Sequence, residues 1–215
     1  METPNNPHSI NYRIREGLSR VGMAMRVDDW SRAKATGLNP TQLAILGLLE
    51  GRGEDGLGVK EVAAHLGVSQ PTATDSINAL ERKGLIEKRP GASNKRAVRV
   101  ALTPDGLATL QAADREKSLA EQAVGALGAG AQQDLLLTLI TMIRHLQETD
   151  AIPVQRMCVS CRYFAPNAHK DAARPHHCKF VDAAFGQRDL RIDCRDHLEA
   201  DPASRAATWD AFQPG

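Results

Sequence analysis

A chain of 215 residues is long enough for one sizeable core and a further small module, at about 100–200 residues per domain. Its net charge of +1 gives no general affinity for polyanions, and 4% aromatic residues beside frequent alanine and leucine favour a helical protein. No apolar run approaches the ~18 residues of a spanning helix, and residues 1–7 lack the basic and apolar segments of a signal peptide, so a cytoplasmic location with no membrane partner is expected.

Residues 1–7 read as a disordered arm. From His8 to about Lys34, Ile10, Ile14, Leu18, Val21 and Met25 advance by three or four, which predicts a long amphipathic helix needing a surface to pack on. Gly37 to Thr41 then breaks and restarts the chain, with Asn39 as a cap and Pro40 at the first helical position. The next helix, to Glu50, carries Leu43, Ile45, Leu46, Leu48 and Leu49, too apolar for a surface element, and is placed at the centre of the core. A glycine-rich loop, 51–58, leads to a short helix with Val59, Val62, Ala63 and Leu66 at helical spacing. Gly67 and Val68 turn the chain into Ser69, which can cap a helix that has Pro71 in its first turn, Ile77 and Leu80 facing inward, and Gly84 at its end. Two helices joined this tightly form a helix-turn-helix.

The second helix of the pair presents Gln70, Thr72, Thr74, Asp75 and Asn78, short polar side chains suited to base edges and phosphates. Downstream, Ile86 and then Val98, Val100 and Leu102 follow a period of two on either side of a turn-forming stretch, 90–95, which predicts a hairpin, or wing. Between positions 82 and 99 stand seven basic residues (Arg82, Lys83, Lys88, Arg89, Lys95, Arg96, Arg99) and one acid, Glu87, a local excess of +6 for which phosphate is the natural partner. Winged units also bind proteins, so an adaptor role is the alternative of another class.

After the wing, Thr103, Pro104 and Asp105 start a helix expected to run through Leu107, Leu110, Leu119 and Val124, until a glycine-rich stretch, 125–130, interrupts it. A last long helix, about 131–148, places Leu135, Leu136, Leu139, Ile140, Ile143 and Leu146 on one face. Long apolar helices at both ends of a compact reading head point to a homodimer whose paired recognition helices match a palindromic operator in double-stranded DNA.

Residues 8 to about 148 resemble the MarR family of bacterial winged helix-turn-helix regulators. The motifs are Leu38, Asn39, Pro40, Thr41 and Gln42 opening the second helix; Leu66, Gly67, Val68 and Ser69 before the recognition helix; the run from Leu80 to Ile86 leaving it; and the run from Leu102 to Gly106 after the wing. The resemblance implies an obligate dimer that controls promoters and whose DNA affinity is tuned by a small ligand, a metal or an oxidant. The wing departs from the family pattern. It keeps Arg96 but has Ser93, Asn94 and Lys95 where acids and a further arginine often stand, so Arg96 is assigned to the minor groove and the bracing of the wing stays open.

All four cysteines fall past Asp150, spaced Cys158-x2-Cys161-x16-Cys178-x15-Cys194, with His169, His176, His177 and His197 nearby. In a reducing compartment such clustering points to metal or redox chemistry before structural disulfides. Four thiolates can close a tetrahedral zinc site or hold an iron-sulfur cluster, and a dithiol-disulfide switch is the third reading. Tyr163, Phe164, Phe180 and Phe185 can form an apolar shell, and Arg162, Lys179, Arg191 and Arg195 can offset thiolate charge, although the module has little core of its own. A catalytic zinc using His176 or His177 lacks a His-Glu-x-x-His motif, so no enzyme is expected. The tail, with Trp209 and Phe212, either packs back on the module or is mobile.

The expected fold is therefore mainly α with a small β wing (α+β). Residues 8–150 make a winged helix-turn-helix dimerising through its N- and C-terminal helices, 151–200 a cysteine-rich metal-binding module, and 201–215 a tail. The expected function is a sequence-specific transcription regulator, read as a repressor. Ser69, Gln70, Thr72, Thr74 and Asn78 would lie in the major groove, Arg82, Lys83 and Arg89 on phosphates, and Lys95 and Arg96 in the wing. A metal or redox centre on Cys158, Cys161, Cys178 and Cys194, zinc or an iron-sulfur cluster, would tune its affinity; the alternative is a purely structural zinc staple that senses nothing, and any small-molecule effector is unassigned.

Overall fold

Local signals fix where the helices begin. In the computed structural model, which describes residues 9–53, 55–91, 95–114 and 118–213, helix α1 (Ile10–Ala35) starts where the Tyr12 amide donates to the Ser9 hydroxyl at 3.1 Å. The arm expected over residues 1–7 lies outside the described residues, as do 92–94 in the wing loop. Helix α2 (Pro40–Leu49) opens with a reciprocal pair: the Gln42 amide donates to Asn39 Oδ1 at 2.9 Å and the Asn39 amide to Gln42 Oε1 at 3.2 Å. That satisfies two amides which the helix itself cannot. Helix α3 (Val59–Leu66) and helix α4 (Gln70–Arg82) follow, joined by the three residues 67–69.

Two strands come next, β1 (Ile86–Pro90) and β2 (Val98–Leu102), paired antiparallel with Ile86 opposite Leu102 and Pro90 opposite Val98. Leu57 adds an antiparallel bridge to Val100, its amide and carbonyl both bonded across at 3.0 and 2.8 Å, so the ribbon has a third member that hydrophobic alternation did not announce. Helix α5 (Pro104–Ala113) is capped by Thr103, whose hydroxyl accepts from the Gly106 amide.

The single helix expected from Thr103 through Val124 is two helices. α5 ends at Ala113, and Ser118 starts α6 (Leu119–Gly125) with a capping box, its hydroxyl accepting from the Glu121 amide while Glu121 accepts from the Ser118 amide. A cap satisfied at both ends stops one helix and starts another however well the apolar spacing continues. Helix α7 (Ala129–Glu148) begins two residues earlier than expected.

The chain forms two compact units. The first comprises the described residues of 1–49, 54–62 and 69–127. Its core is the predicted one: Ile45 and Leu46 of α2, Ile77 and Leu80 of α4, Ile86 of β1 and Val100 of β2 are all at most 2% exposed, and α2 packs against α1, α4, α5 and β2. Burying each such side chain is worth roughly 1.5–3 kcal/mol, which is why α2 dictates the arrangement of this unit. Along α1, by contrast, Ile10, Ile14, Leu18, Val21 and Met25 are 43–63% exposed in the single chain.

The second unit comprises 50–53, 63–68 and the described residues from 128 onward. After α7 the chain makes a 3-10 turn at Cys158–Ser160 and a small antiparallel sheet, β3 (Phe164–Ala165), β4 (His176–Cys178) and β5 (Ala183–Phe185), in the order β3-β4-β5. Helix α8 (Pro202–Phe212) closes the chain, started by Asp201, which accepts from the Ser204 amide at 3.0 Å. The expectation that the cysteine segment has little core of its own is corrected here. Ile140 of α7, Met157, Val159, Phe164, Leu190 and Phe212 of α8 form a buried cluster, and the Phe164 ring lies 5.4–5.9 Å from those of His176, Phe185 and Phe212. The tail supplies part of that core. No helix among the described residues is long and apolar enough to cross a membrane.

Candidate nucleic-acid interface and four-cysteine cavity

Ser69 sets the start of α4. Its hydroxyl accepts from the Thr72 amide at 3.2 Å and shares a 2.7 Å hydrogen bond with the Thr72 hydroxyl. At the other end Gly84, at φ 71°, lets its own amide reach Glu81 O at 2.9 Å and the Leu85 amide reach Leu80 O at 3.1 Å, a closure that turns the chain directly into β1. Ala73, Ser76, Ile77 and Leu80 are buried, which leaves Ser69, Gln70, Pro71, Thr72 and Asp75 exposed on the outer side of the first turns. Because the cap uses the Ser69 oxygen, Ser69→Ala is expected to destabilise the first unit by about 1 kcal/mol. Thermal unfolding of the variant checks this, and an unchanged midpoint would remove Ser69 from the cap.

Not all the side chains assigned to the duplex are equally available. Gln70 makes no side-chain hydrogen bond among the described residues and is the best placed to read a base edge. Thr74, half-buried, donates its hydroxyl to Gln70 O at 2.8 Å. Asn78 Oδ1 accepts from Lys88 Nζ at 2.7 Å, so a base contact from Asn78 uses its NH2 group or shares that oxygen with the lysine. Lys88 also reaches Glu81 at 2.8 Å and so ties the base of β1 to α4.

The local excess of +6 shrinks once partners from elsewhere in the sequence are added. Lys88 pairs with Glu81 and Arg99 with Glu61 of α3, both outside the 82–99 window, while Arg89 pairs at 2.5 Å with Glu87, the acid already counted in it. Lys83 Nζ donates to Gly37 O at 2.7 Å. Among the described residues Arg82 and Lys95 are exposed with no hydrogen-bond or ion-pair partner, and Arg96 is exposed beside Lys95 in the wing. Exposed pairs are worth little and exchange readily, so Lys83 and Arg89 keep their charge for phosphate, but Arg99 is a structural residue. Besides Glu61 it donates to Asp55 O and Gly56 O, both at 3.0 Å, clamping residues 55–57 against β2. That clamp, with the bridge from Leu57 to Val100, is how this wing is braced. Counting charges over a sequence window could not find it, because Glu61 stands 38 residues from Arg99.

In the second unit Cys158, Cys161, Cys178 and Cys194 are all unpaired thiols and all line one cavity of about 130 Å³. Cys158 sits in the 3-10 turn, with the Cys161 amide bonded to its carbonyl at 2.9 Å, the tight loop that a Cys-x2-Cys spacing allows. Cys178 is held in β4, opposite Phe164 on one side and Ala183 on the other. The Cys158 amide donates to Arg191 O at 3.0 Å and the Cys194 amide to Arg156 O at 2.9 Å, which brings the first and last cysteines together across 33 to 38 residues. Two donors already face sulfur: the Arg191 amide to Cys158 Sγ at 3.2 Å and Arg191 Nη1 to Cys194 Sγ at 3.6 Å.

Burial pushes the Cys158 thiol up to about 11 against the opposing pull of the Arg191 amide, and the Cys194 sulfur raises the Arg191 guanidinium. Tyr163, Phe164, Phe180 and Phe185, the aromatics singled out in the sequence, also line the cavity. Of the cations proposed beside them only Arg191 does; Arg195 pairs with Glu50 instead. Among the described residues no three His, Cys, Asp or Glu side chains converge as ligands of one metal ion. The histidines have other roles: His176 is 1% exposed in the aromatic core with its pKa lowered by burial, and His169 meets His177 at 3.1 Å near the surface.

Comparison with known proteins places the first of these features. Residues 36–97, from the start of α2 through the wing loop, match the model of the MarR family. Similar solved structures include BldR from Sulfolobus solfataricus (20% identity, TM-score 0.53, 63% of this chain and 95% of that one) and an S. aureus MepR–DNA complex (24%, 0.51, 64% and 98%). CouR from Rhodococcus jostii RHA1 bound to p-coumaroyl-CoA is also similar (20%, 0.51, 68% and 97%). At these identities the likeness establishes the fold, a MarR-type winged helix-turn-helix. No curated protein matches the chain.

Proposed function

We propose that the chain is a sequence-specific, DNA-binding transcription regulator and acts as a repressor rather than an enzyme. The observation that carries this reading is that the first unit pairs exposed polar first turns of α4, with Gln70 unengaged, with a braced hairpin, and that Arg82, Lys95 and Arg96 are exposed cations on these two elements and the chain beside them. Short polar side chains read base edges while cations hold phosphates, and the two are needed together. The family match over 36–97 and the solved MepR–DNA complex of the same fold support it.

The working form is a homodimer on a palindromic operator in the cytoplasm. Five apolar residues of α1, 43–63% exposed, are what a second copy would cover. The four-cysteine cavity holds a metal or iron-sulfur centre that tunes DNA affinity; its support is that cysteines distant in sequence line one space. Selection of the full chain, purified without oxygen, against a pool of random duplexes tests the reading. Inverted-repeat half-sites with centres about one or two helical turns apart, ~10 bp per turn, should be enriched. A pool returned without enrichment would overturn it.

A further inference from the structure

We infer that the four-cysteine cavity is built for an iron-sulfur cluster and not for a single zinc ion. The inference deepens the reading of the second unit as a metal or cluster site and rests on it. Zinc binds thiolate at about 2.3 Å, so four sulfurs on one tetrahedral ion stand roughly 3.8 Å apart around a point. Here the cysteines line a cavity of about 130 Å³ without converging on any such point. A single water needs only ~10–15 Å³ measured the same way, so the cavity that the four cysteines share with the aromatic wall has room for a polyatomic inorganic core.

The backbone resists collapse onto a smaller centre. Cys178 is paired on both sides within the sheet, and the Cys158 and Cys194 amides are bonded to carbonyls of other segments. The lining also suits a cluster. Tyr163, Phe164, Phe180 and Phe185 supply an apolar wall, with the Tyr163 and Phe180 rings 5.4 Å apart. Arg191 aims its amide and its guanidinium at two different sulfurs, and such hydrogen bonds set cluster potentials. Asp196 lines the cavity and acts electrostatically on Arg191; Asp189 accepts from the Gly186 amide at 2.9 Å and is already committed. On assembly the four thiols release their protons as the sulfurs become iron ligands. The cysteine sulfurs do not change oxidation state.

The test is a metal count on the full chain purified without oxygen and then reconstituted with ferric iron, sulfide and a dithiol reductant, which together supply the ferric or mixed ferric-ferrous iron of the core. Iron and acid-labile sulfide should be present in equal amounts, about two to four of each per chain, with a broad visible sulfur-to-iron charge-transfer band and little zinc. One tightly held zinc per chain, or a colourless product after reconstitution, or a cysteine pair recovered as a disulfide would each overturn the inference. Cys194→Ser should lose most of the visible band, and a full band would overturn the ligand set. Arg191→Gln should keep the band and lower the reduction potential, since a donor to sulfur is lost; an unchanged potential would overturn the part given to Arg191. Duplex binding by the same preparations separates the readings: a zinc-loaded chain that still selects an operator leaves the regulator intact and the cluster wrong.

Discussion

Gly56→Ala is expected to cost on the order of 3–5 kcal/mol and to lower the unfolding midpoint by roughly 10 °C or more. Gly56 sits at φ 51°, and an added Cβ would lie 2.0 Å from the Val100 carbonyl oxygen and 2.7 Å from its carbon. Those are backbone atoms of β2, fixed by the two hydrogen bonds of the bridge between Leu57 and Val100, so they cannot move aside cheaply. The displaced segment also carries the Gly56 carbonyl that Arg99 holds. Losing the clamp therefore frees the base of the wing as well as straining the loop. The comparison that isolates this is Gly84→Ala, where φ is 71° but nothing lies within 4 Å of the new Cβ. Only the left-handed backbone penalty remains there, about 1–2 kcal/mol. Equal losses in the two variants, measured by chemical denaturation, would mean that the close approach to Val100 has no energetic role.

Gln70→Ala and the double variant Arg82→Ala, Lys95→Ala are expected to weaken DNA binding in two different ways. Gln70 is an unengaged side chain on the exposed turns of α4, so its loss should cost about 1–3 kcal/mol on the selected operator, roughly 5- to 150-fold, and little on unrelated duplexes. The two cations carry no sequence information. Their removal should weaken all duplexes alike and reduce the slope of log affinity against log salt by about 1 for each phosphate no longer neutralised. Competition titrations at several salt concentrations separate the effects. A Gln70→Ala chain that loses affinity equally for every duplex would move base reading elsewhere on α4.

The winged unit was legible because its signals are local. Ser69, Pro71, Ile77, Leu80 and Gly84 state the start, buried face and end of α4 within sixteen residues, and Asn39 and Gln42 do the same for the start of α2. What the sequence concealed depends on distance. Arg99 reads as one more cation in a basic window, and only the fold brings Glu61 to it and makes it a brace. Strands β3, β4 and β5 are two or three residues long, too short for alternation to register, so the cysteine segment looked loop-like and coreless. Its core is built from Met157, Val159, Cys161, Phe164 and Leu190 of the segment itself and completed by Ile140 of α7 and Phe212 of α8. The four cysteines were visible in their spacing, but the cavity they line together with Tyr163, Phe164, Phe180 and Phe185 was not, because the segments that close it lie far apart in sequence.

The contacts proposed for α4 and the wing are tested on the full chain. The most direct measurement is equilibrium binding of the full chain to its selected operator and to a scrambled duplex of the same length across a range of salt concentrations. Preference for the operator by about a thousandfold or more, with affinity falling linearly in log salt, is the expected result. Equal binding to both duplexes with no response to salt would contradict the assignment of α4 and the wing to DNA.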